Sequence, residues 1–355
     1  MNLPAGFFEQ IARAGALAPS GDNLQPWTFI NDDESLLIFH DPNQDRSLFN
    51  VHDLASYIAL GAVLENVLIA ATKYNYRANV CYFPEPQKHD LIARVTFARG
   101  ADVDPLVDSI EKRCTNRRPY ATRALDGSII QRLNLEPNRF PDIGLVWLSD
   151  QSSLKKIGAI VSRADRLLFE NPRIHGHLFS TLRWNQAEIE QTRDGLPIAS
   201  LELGSVGSLA FRSLKNWSIV EFLNRFGLSK AAANHSTLLM QRCSAAGLIT
   251  APDISPSSFL EVGQSFQRVW LNATKENLAF QPMTALIFLQ LRSRLGDYQG
   301  ITTEQITVID GLRRDLDEFL AISKGRVPAM LFRLGYGAPP SAKTLRRLTH
   351  NEKHT

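Results

Sequence analysis

Cysteine is scarce in this chain of 355 residues. Cys81, Cys114 and Cys243 lie far apart with no CxxC pair, which excludes a cysteine-built zinc cage and a disulfide framework. A reducing, cytoplasmic setting is expected. Charge of one sign is lacking too. The 39 basic and 36 acidic side chains leave a net +3, far from the basic field that nucleic-acid binders need. No apolar run is read as approaching the roughly 20 residues of a bilayer span, so a soluble protein with neither nucleic-acid nor membrane partner is expected. The amino terminus sets Glu9 and Arg13 inside its apolar stretch and has no basic leader, which reads as a helix rather than a signal peptide.

Several catalytic signatures are missing as well. Gly204-Ser205-Val206-Gly207 follows no clear strand and has neither the lysine of a P-loop nor the spacing of a dinucleotide fingerprint. HExxH and GxSxG do not occur. His175 and His177 flank Gly176 without a carboxylate at ligand spacing, so they read as surface or helix-end histidines and no metal is expected. Trp184 reads as a packing residue.

What is present suffices for a core: 44% of residues are hydrophobic and 21% charged. Residues 4–18 carry apolar side chains at helical spacing and stop before Pro19. Strand-like pieces at 27–31 and 36–39 flank the polar cluster Asn31 to Glu34, a hairpin signal. Helical composition over 53–75 is followed by strand-like 78–83 and 91–97, then a helix near 104–113. Between about 150 and 240, helix-forming stretches are broken at Asn171-Pro172, Asp194-Gly195 and Gly204 to Gly207. Helices are expected over 258–277 and 303–322, and a strand over 327–334. Strands grouped with helices, without regular alternation, predict an α+β fold.

An internal repeat stands out. Gly61 to Asn75 set against Gly263 to Asn277 matches Gly61, Val67, Ala71, Thr72, Lys73 and Asn75 to identical residues. Leu64 against Phe266 and Ile69 against Leu271 keep apolar character at helical spacing, so both copies read as core helices with a structural role.

Two segments carry chemistry. Pro19-Ser20-Gly21-Asp22-Asn23-Leu24-Gln25-Pro26-Trp27 combines stiffening prolines with exposed hydroxyl, backbone and amide groups. Such a loop can hydrogen-bond the edge of a flat heterocycle, or serve as a capped turn anchoring a hairpin. Arg113-Cys114-Thr115-Asn116-Arg117-Arg118-Pro119-Tyr120 gathers three guanidinium groups, whose forked donors suit phosphate, although arginines in such a group also decorate solvated surfaces.

Together these segments resemble the nitroreductase family, with its PSxxNxQPW loop beside a flavin and its arginine-bearing arm on the FMN phosphate. Gly263 to Thr274, followed by Gln281-Pro282-Met283, resembles the family's helix and ring-covering segment. Pro328 to Gly337 and Lys343 to Arg347 look like its last strand and basic end. The order is unusual, because the arm follows the loop instead of preceding it. That arrangement, with Asp194-Gly195-Leu196-Pro197 at mid-chain, looks like the Acg subgroup of FMN-binding proteins, in which one chain mimics the usual dimer.

The resemblance implies an internally duplicated nitroreductase-like fold, with mostly antiparallel central sheets flanked by helices. Its halves would be 1–112 and 113–355, the second holding a helical insertion, a candidate lid, at about 185–230. It implies one FMN, with NADPH or NADH as electron donor and a quinone, nitro compound or similar acceptor. FMN contacts would come from Pro19, Ser20, Gly21, Asn23, Gln25, Arg113, Thr115, Arg117, Gln281, Pro282, Met283 and Arg347, with Lys343 and Arg346 as competitors of Arg347 for the phosphate. No catalytic side chain is needed, since the flavin carries the chemistry. The alternative implied by the subgroup is an FMN-sequestering protein with little turnover. A monomer mimicking a dimer is expected in either case.

Overall fold

The computed structural model describes residues 3–135, 139–321 and 325–347. Its first part runs α1 (Phe7–Ala16), β1 (Trp27–Asp32), β2 (Ser35–His40), α2 (Leu54–Thr72), β3 (Tyr76–Tyr82) and β4 (Leu91–Arg99). Asp33 turns the β1–β2 hairpin in the left-handed region, a conformation aspartate tolerates better than most residues. The strands form an antiparallel sheet in the order β1-β2-β4-β3.

Only one helical turn, α3 (Ser109–Lys112), forms where a helix over 104–113 is expected. After it come α4 (Gly127–Leu135), β5 (Gly144–Leu148), α5 (Gln151–Glu170) and α6 (Pro172–Thr181). Asn171 breaks α5 from α6: its side chain caps Arg173 and Ile174, and Pro172 takes the first helical position, where its missing N–H costs nothing. Short elements follow: β6 (Leu182–Arg183), α7 (Gln186–Thr192), β7 (Leu196–Pro197), α8 (Gly204–Ser213), α9 (Trp217–Asn224) and α10 (Leu228–Gln241). The chain then returns through β8 (Ala245–Ala251), α11 (Pro256–Lys275), β9 (Ala279–Pro282), α12 (Ala285–Leu295), α13 (Thr303–Phe319) and β10 (Val327–Gly335). Residue 322, the end of the helix expected over 303–322, lies outside the described residues.

The second sheet is antiparallel in the order β5-β8-β10-β9. Replacing β1, β2, β3 and β4 by β5, β8, β9 and β10 converts one sheet order into the other. In each sheet the long helix, α2 or α11, follows the second of these strands and precedes the third. The fold is α+β, two antiparallel sheets flanked by helices.

These two helices cross at their matched glycines. A Cβ on Gly61 would stand 2.0 Å from the Leu260 carbonyl oxygen, and one on Gly263 would stand 2.1 Å from that of Ile58. The polar contacts repeat with the same exchange of partners: Arg268 donates to Glu65 at 2.7 Å, and Gln267 donates to Asn66 at 2.7 Å. Each helix also serves the other's core, Leu260 and Leu271 packing with the first sheet while Ala55 and Ile58 pack with the second.

The sequence reading on apolar runs is corrected here. Val51–Thr72 spans 22 residues and contains an 18-residue window of mean hydropathy 1.8, long and apolar enough to cross a membrane, yet 89% of that window is buried inside the protein. A helix surrounded by core on all sides has no polar face to interrupt its hydropathy.

Candidate functional site

A cleft of about 210 Å³ lies beside the crossing of α2 and α11 and is lined by both helices. One wall is the loop after α1, contributing Pro19, Ser20, Gly21, Asp22 and Asn23, and another is the arm, contributing Arg113, Cys114, Thr115 and Arg117. Lys343, Thr344 and Arg346 approach from the C-terminal segment, and Leu196 and Ser200 from the mid-chain insertion. Ala55 and Ile58 of α2, Phe266 and Trp270 of α11, Pro282, Phe288 and Met330 complete an apolar floor.

The charges on this cleft are unbalanced. Arg113 is 8% exposed, lies 4.4 Å over the Trp270 ring and donates to the Leu17 carbonyl at 2.9 Å. Burial pushes its guanidinium down to about 10. Arg346 donates to the Ala18 carbonyl at 3.0 Å, and burial, with Arg113 beside it, pushes it down to about 9. Arg117 donates to the Ser200 carbonyl at 3.3 Å and is also lowered by burial. Among the described residues, none of the three forms an ion pair with a carboxylate. Guanidinium groups held largely out of water on neutral carbonyls alone are costly, so this cluster suits an anionic ligand that brings its own charge.

Unsatisfied polar atoms cluster at the same place. Asn23 Oδ1, Arg113 Nε, Ser200 Oγ and Trp270 Nε1 are buried without a hydrogen-bond partner, and all four residues line the cleft. Native interiors leave few such atoms, and each calls for an explanation. A ligand with phosphate, hydroxyl and heterocyclic polar groups over an apolar body would satisfy them, which is the chemistry of FMN.

Of the residues expected from sequence, Pro19, Ser20, Gly21, Asn23, Arg113, Thr115, Arg117 and Pro282 line the cleft. Gln25, Gln281, Met283 and Arg347 are not among its lining residues. Gln25 is a staple: its amide donates to the Arg193 carbonyl at 2.9 Å and accepts from the Arg347 N–H at 2.8 Å. Arg347 donates to the carbonyls of Leu24 and Gln25, holding the loop. Gln281 accepts from Arg333 at 2.8 Å, and the Met283 N–H is bonded to the Leu331 carbonyl at 2.8 Å. Ser200, Phe266 and Trp270 were not singled out by sequence, the last two because the repeat reads as pure core, while Arg346 and Lys343 stood there as competitors of Arg347 for the phosphate and both line the cleft.

His175 departs from the surface or helix-end position expected of both histidines, whereas His177 is half-buried. His175 is 2% exposed, packed tilted against Phe179 and edge-on against Trp217, with its Nε2 at 2.9 Å from the Leu214 oxygen. His177 sits 3.1 Å from Asp22 on the cleft wall. Burial alone would lower its pKa, but the hydrogen bond and charge of Asp22, with Asp45 behind it, raise it above the ordinary value.

An uncharacterised protein of Mycobacterium tuberculosis (strain CDC 1551 / Oshkosh), MT1398, is 26% identical over 345 residues, 96% of this chain and 47% of that protein. The M. tuberculosis protein named "Putative NAD(P)H nitroreductase acg" is 26% identical over 190 residues, 52% of this chain and 55% of its own length. The chain is similar to the nitroreductase superfamily. Its link to acg is one of distant homology, and it spans about half the length of the curated relatives it matches. No family model matches. Among solved structures, iodotyrosine deiodinase bound to FMN and 3-iodo-L-tyrosine aligns over 70% of this chain and 99% of its own. The identity is 13% and the TM-score 0.41, too low a likeness to support an argument.

Proposed function

We propose that the cleft binds one FMN and that the protein is a nitroreductase-type oxidoreductase, taking hydride from NADPH or NADH and passing electrons to a quinone, nitro compound or similar acceptor. The observation that carries this reading is the cluster of buried Arg113 with half-buried Arg117 and Arg346, none of them ion-paired to a carboxylate among the described residues, beside four unsatisfied polar atoms. The guanidinium groups would hold the phosphate, a charge-assisted contact that returns the cost of their burial. Asn23 and Ser200 would accept or donate at the polar rim. Phe266, Trp270, Phe288 and Met330 exclude water from the floor. When bound, FMN supplies hydride acceptance and donation, and the residues around it position and tune it.

Duplication of a single ancestral unit, with halves 1–112 and 113–355, is supported by the matching sheet orders and the crossing of Gly61 with Gly263. The chain then stands for the usual dimer and works as a monomer. The arm occurs once, so one FMN is expected per polypeptide. Equilibrium dialysis of apoprotein against FMN should saturate near one per chain; saturation near two, or no binding, contradicts the reading.

A second reading, sequestration with little turnover, is favoured by the insertion. Leu196 and Ser200 line the cleft, and the carbonyls of Arg193 and Gly195 accept from Gln25 and Asn23 across it. Contacts of this kind suit a cover.

A further inference from the structure

The outward sides of α8 and α9 are apolar. Among the described residues, eleven large hydrophobic side chains are exposed, and six of them, Leu203, Val206, Leu209, Ile219, Phe222 and Phe226, fall in this one segment. Val206, Leu209 and Phe226 are 81%, 73% and 76% exposed. Val206 and Leu209 are three residues apart on α8, as are Ile219 and Phe222 on α9, which places each pair on one side of its helix. Phe222 packs edge-on against Phe226 with centroids 5.3 Å apart, extending the α9 side beyond its last turn. The opposite sides do the folding: Val220 is fully buried and Phe211 stacks on Phe179. Nothing in the fold requires the outward side chains to be apolar.

The surrounding charge says what covers them. Arg212, Lys215, Arg225 and Lys230 are all exposed, and Glu221 is the single acidic residue from 203 to 230. Four basic against one acidic gives this short segment +3, as much as the whole chain. Phe222, Phe226 and the two arginines would also suit a protein partner, but the two lysines are of a type depleted at such interfaces. On helices that lie in the headgroup region, by contrast, apolar side chains enter the acyl boundary while lysine and arginine meet anionic lipid.

We propose that α8 and α9 form a surface anchor that binds anionic bilayers peripherally. The sequence-based expectation of no membrane partner rests on spanning length, which a helix lying in the interface does not need. The same insertion lends Leu196 and Ser200 to the cleft, so the anchored protein would present its cleft beside lipid, where apolar electron acceptors dissolve. Lipid binding itself does not depend on the cofactor reading.

The test is co-sedimentation of the full chain with vesicles of phosphatidylcholine plus phosphatidylglycerol, against vesicles of phosphatidylcholine alone. The wild type should sediment with the anionic vesicles and be released by salt. A Phe222→Ser, Phe226→Ser double variant should bind at least about tenfold more weakly, as should Lys215→Glu, Arg225→Glu, with circular dichroism unchanged in both. Equal binding by wild type and variants overturns the proposal. So does absence of vesicle binding, whether light scattering shows a monomer or a dimer that Phe222→Ser dissociates; the latter would assign the face to a second copy of the chain.

Discussion

Gly61 and Gly263, far apart in the chain, meet where α2 crosses α11, and a Cβ on either would lie 2.9 Å from the other's Cα. The contact is self-complementary in the manner of a twofold interface, with residue i meeting j and j's equivalent meeting i's. Glu65 with Arg268 and Asn66 with Gln267 obey the same exchange, so the crossing is self-complementary in its polar contacts as well.

Gly61→Ala and Gly263→Ala should therefore each destabilise the protein by at least about 1–3 kcal/mol, the usual cost of overpacking a core. The obstruction is a backbone carbonyl, which cannot swing aside. Urea unfolding followed by circular dichroism measures this, and the double variant should be non-additive because both changes press on one crossing. Wild-type stability in either variant would mean that the helices are not this close.

Much of the first half was legible because its strands are bounded by turn residues and its hairpin by a polar cluster. The region from α7 to α10 was not, because its helices are short and Val206, Leu209, Phe222 and Phe226 face outward while Val220 faces inward. Apolar residues on both sides of a helix erase the periodicity that locates a core. Pro19 to Asn23, Arg113 and Arg117 could be read because each lies within a local motif. Trp270 and Phe266 could not, since helical spacing looks the same for a core and for a cleft floor. Arg346 and Arg347 are neighbours in an irregular segment, where spacing does not say which one turns inward.

That last pair can be separated by experiment. If Arg346 holds the phosphate as proposed, Arg346→Ala loses bonds of about 1.5–3 kcal/mol each and should weaken FMN at least about tenfold while leaving riboflavin, which lacks phosphate, little changed. Arg347→Ala loosens the loop carbonyls of Leu24 and Gln25 and should weaken both ligands alike. Isothermal titration with the two flavins distinguishes these outcomes; a selective loss of FMN in Arg347→Ala would return the phosphate role to Arg347.

The His177–Asp22 contact predicts a pH dependence. The raised His177 pKa means that the folded state stabilises the protonated ring. That contribution is fully present below the ordinary value of 6.5 and is lost as pH rises through the higher folded value. Because Asp22 lines the cleft, FMN should dissociate faster at about pH 8 than at about pH 6, measured by recovery of flavin fluorescence. His177→Asn should flatten the dependence, and an unchanged profile in that variant would remove His177 from the account.

Thiol labelling offers a footprint of the ligand. Cys81 is exposed, Cys114 lines the cleft, and Cys243 is buried with its thiol pushed up to about 12. In native apoprotein Cys81 should react first, Cys114 more slowly and Cys243 last. FMN should protect Cys114 alone, as read by mass spectrometry of alkylated peptides. Equal labelling of Cys114 with and without FMN would place the flavin elsewhere.

The most direct test of the proposed function is an anaerobic titration of FMN-loaded protein with NADPH and then NADH, followed by the visible absorbance of the flavin. The account predicts prompt bleaching with at least one of the two, and reoxidation on adding a quinone or nitroaromatic. A flavin that stays oxidised with both donors yet bleaches with dithionite would contradict the oxidoreductase reading and leave a cofactor held under cover.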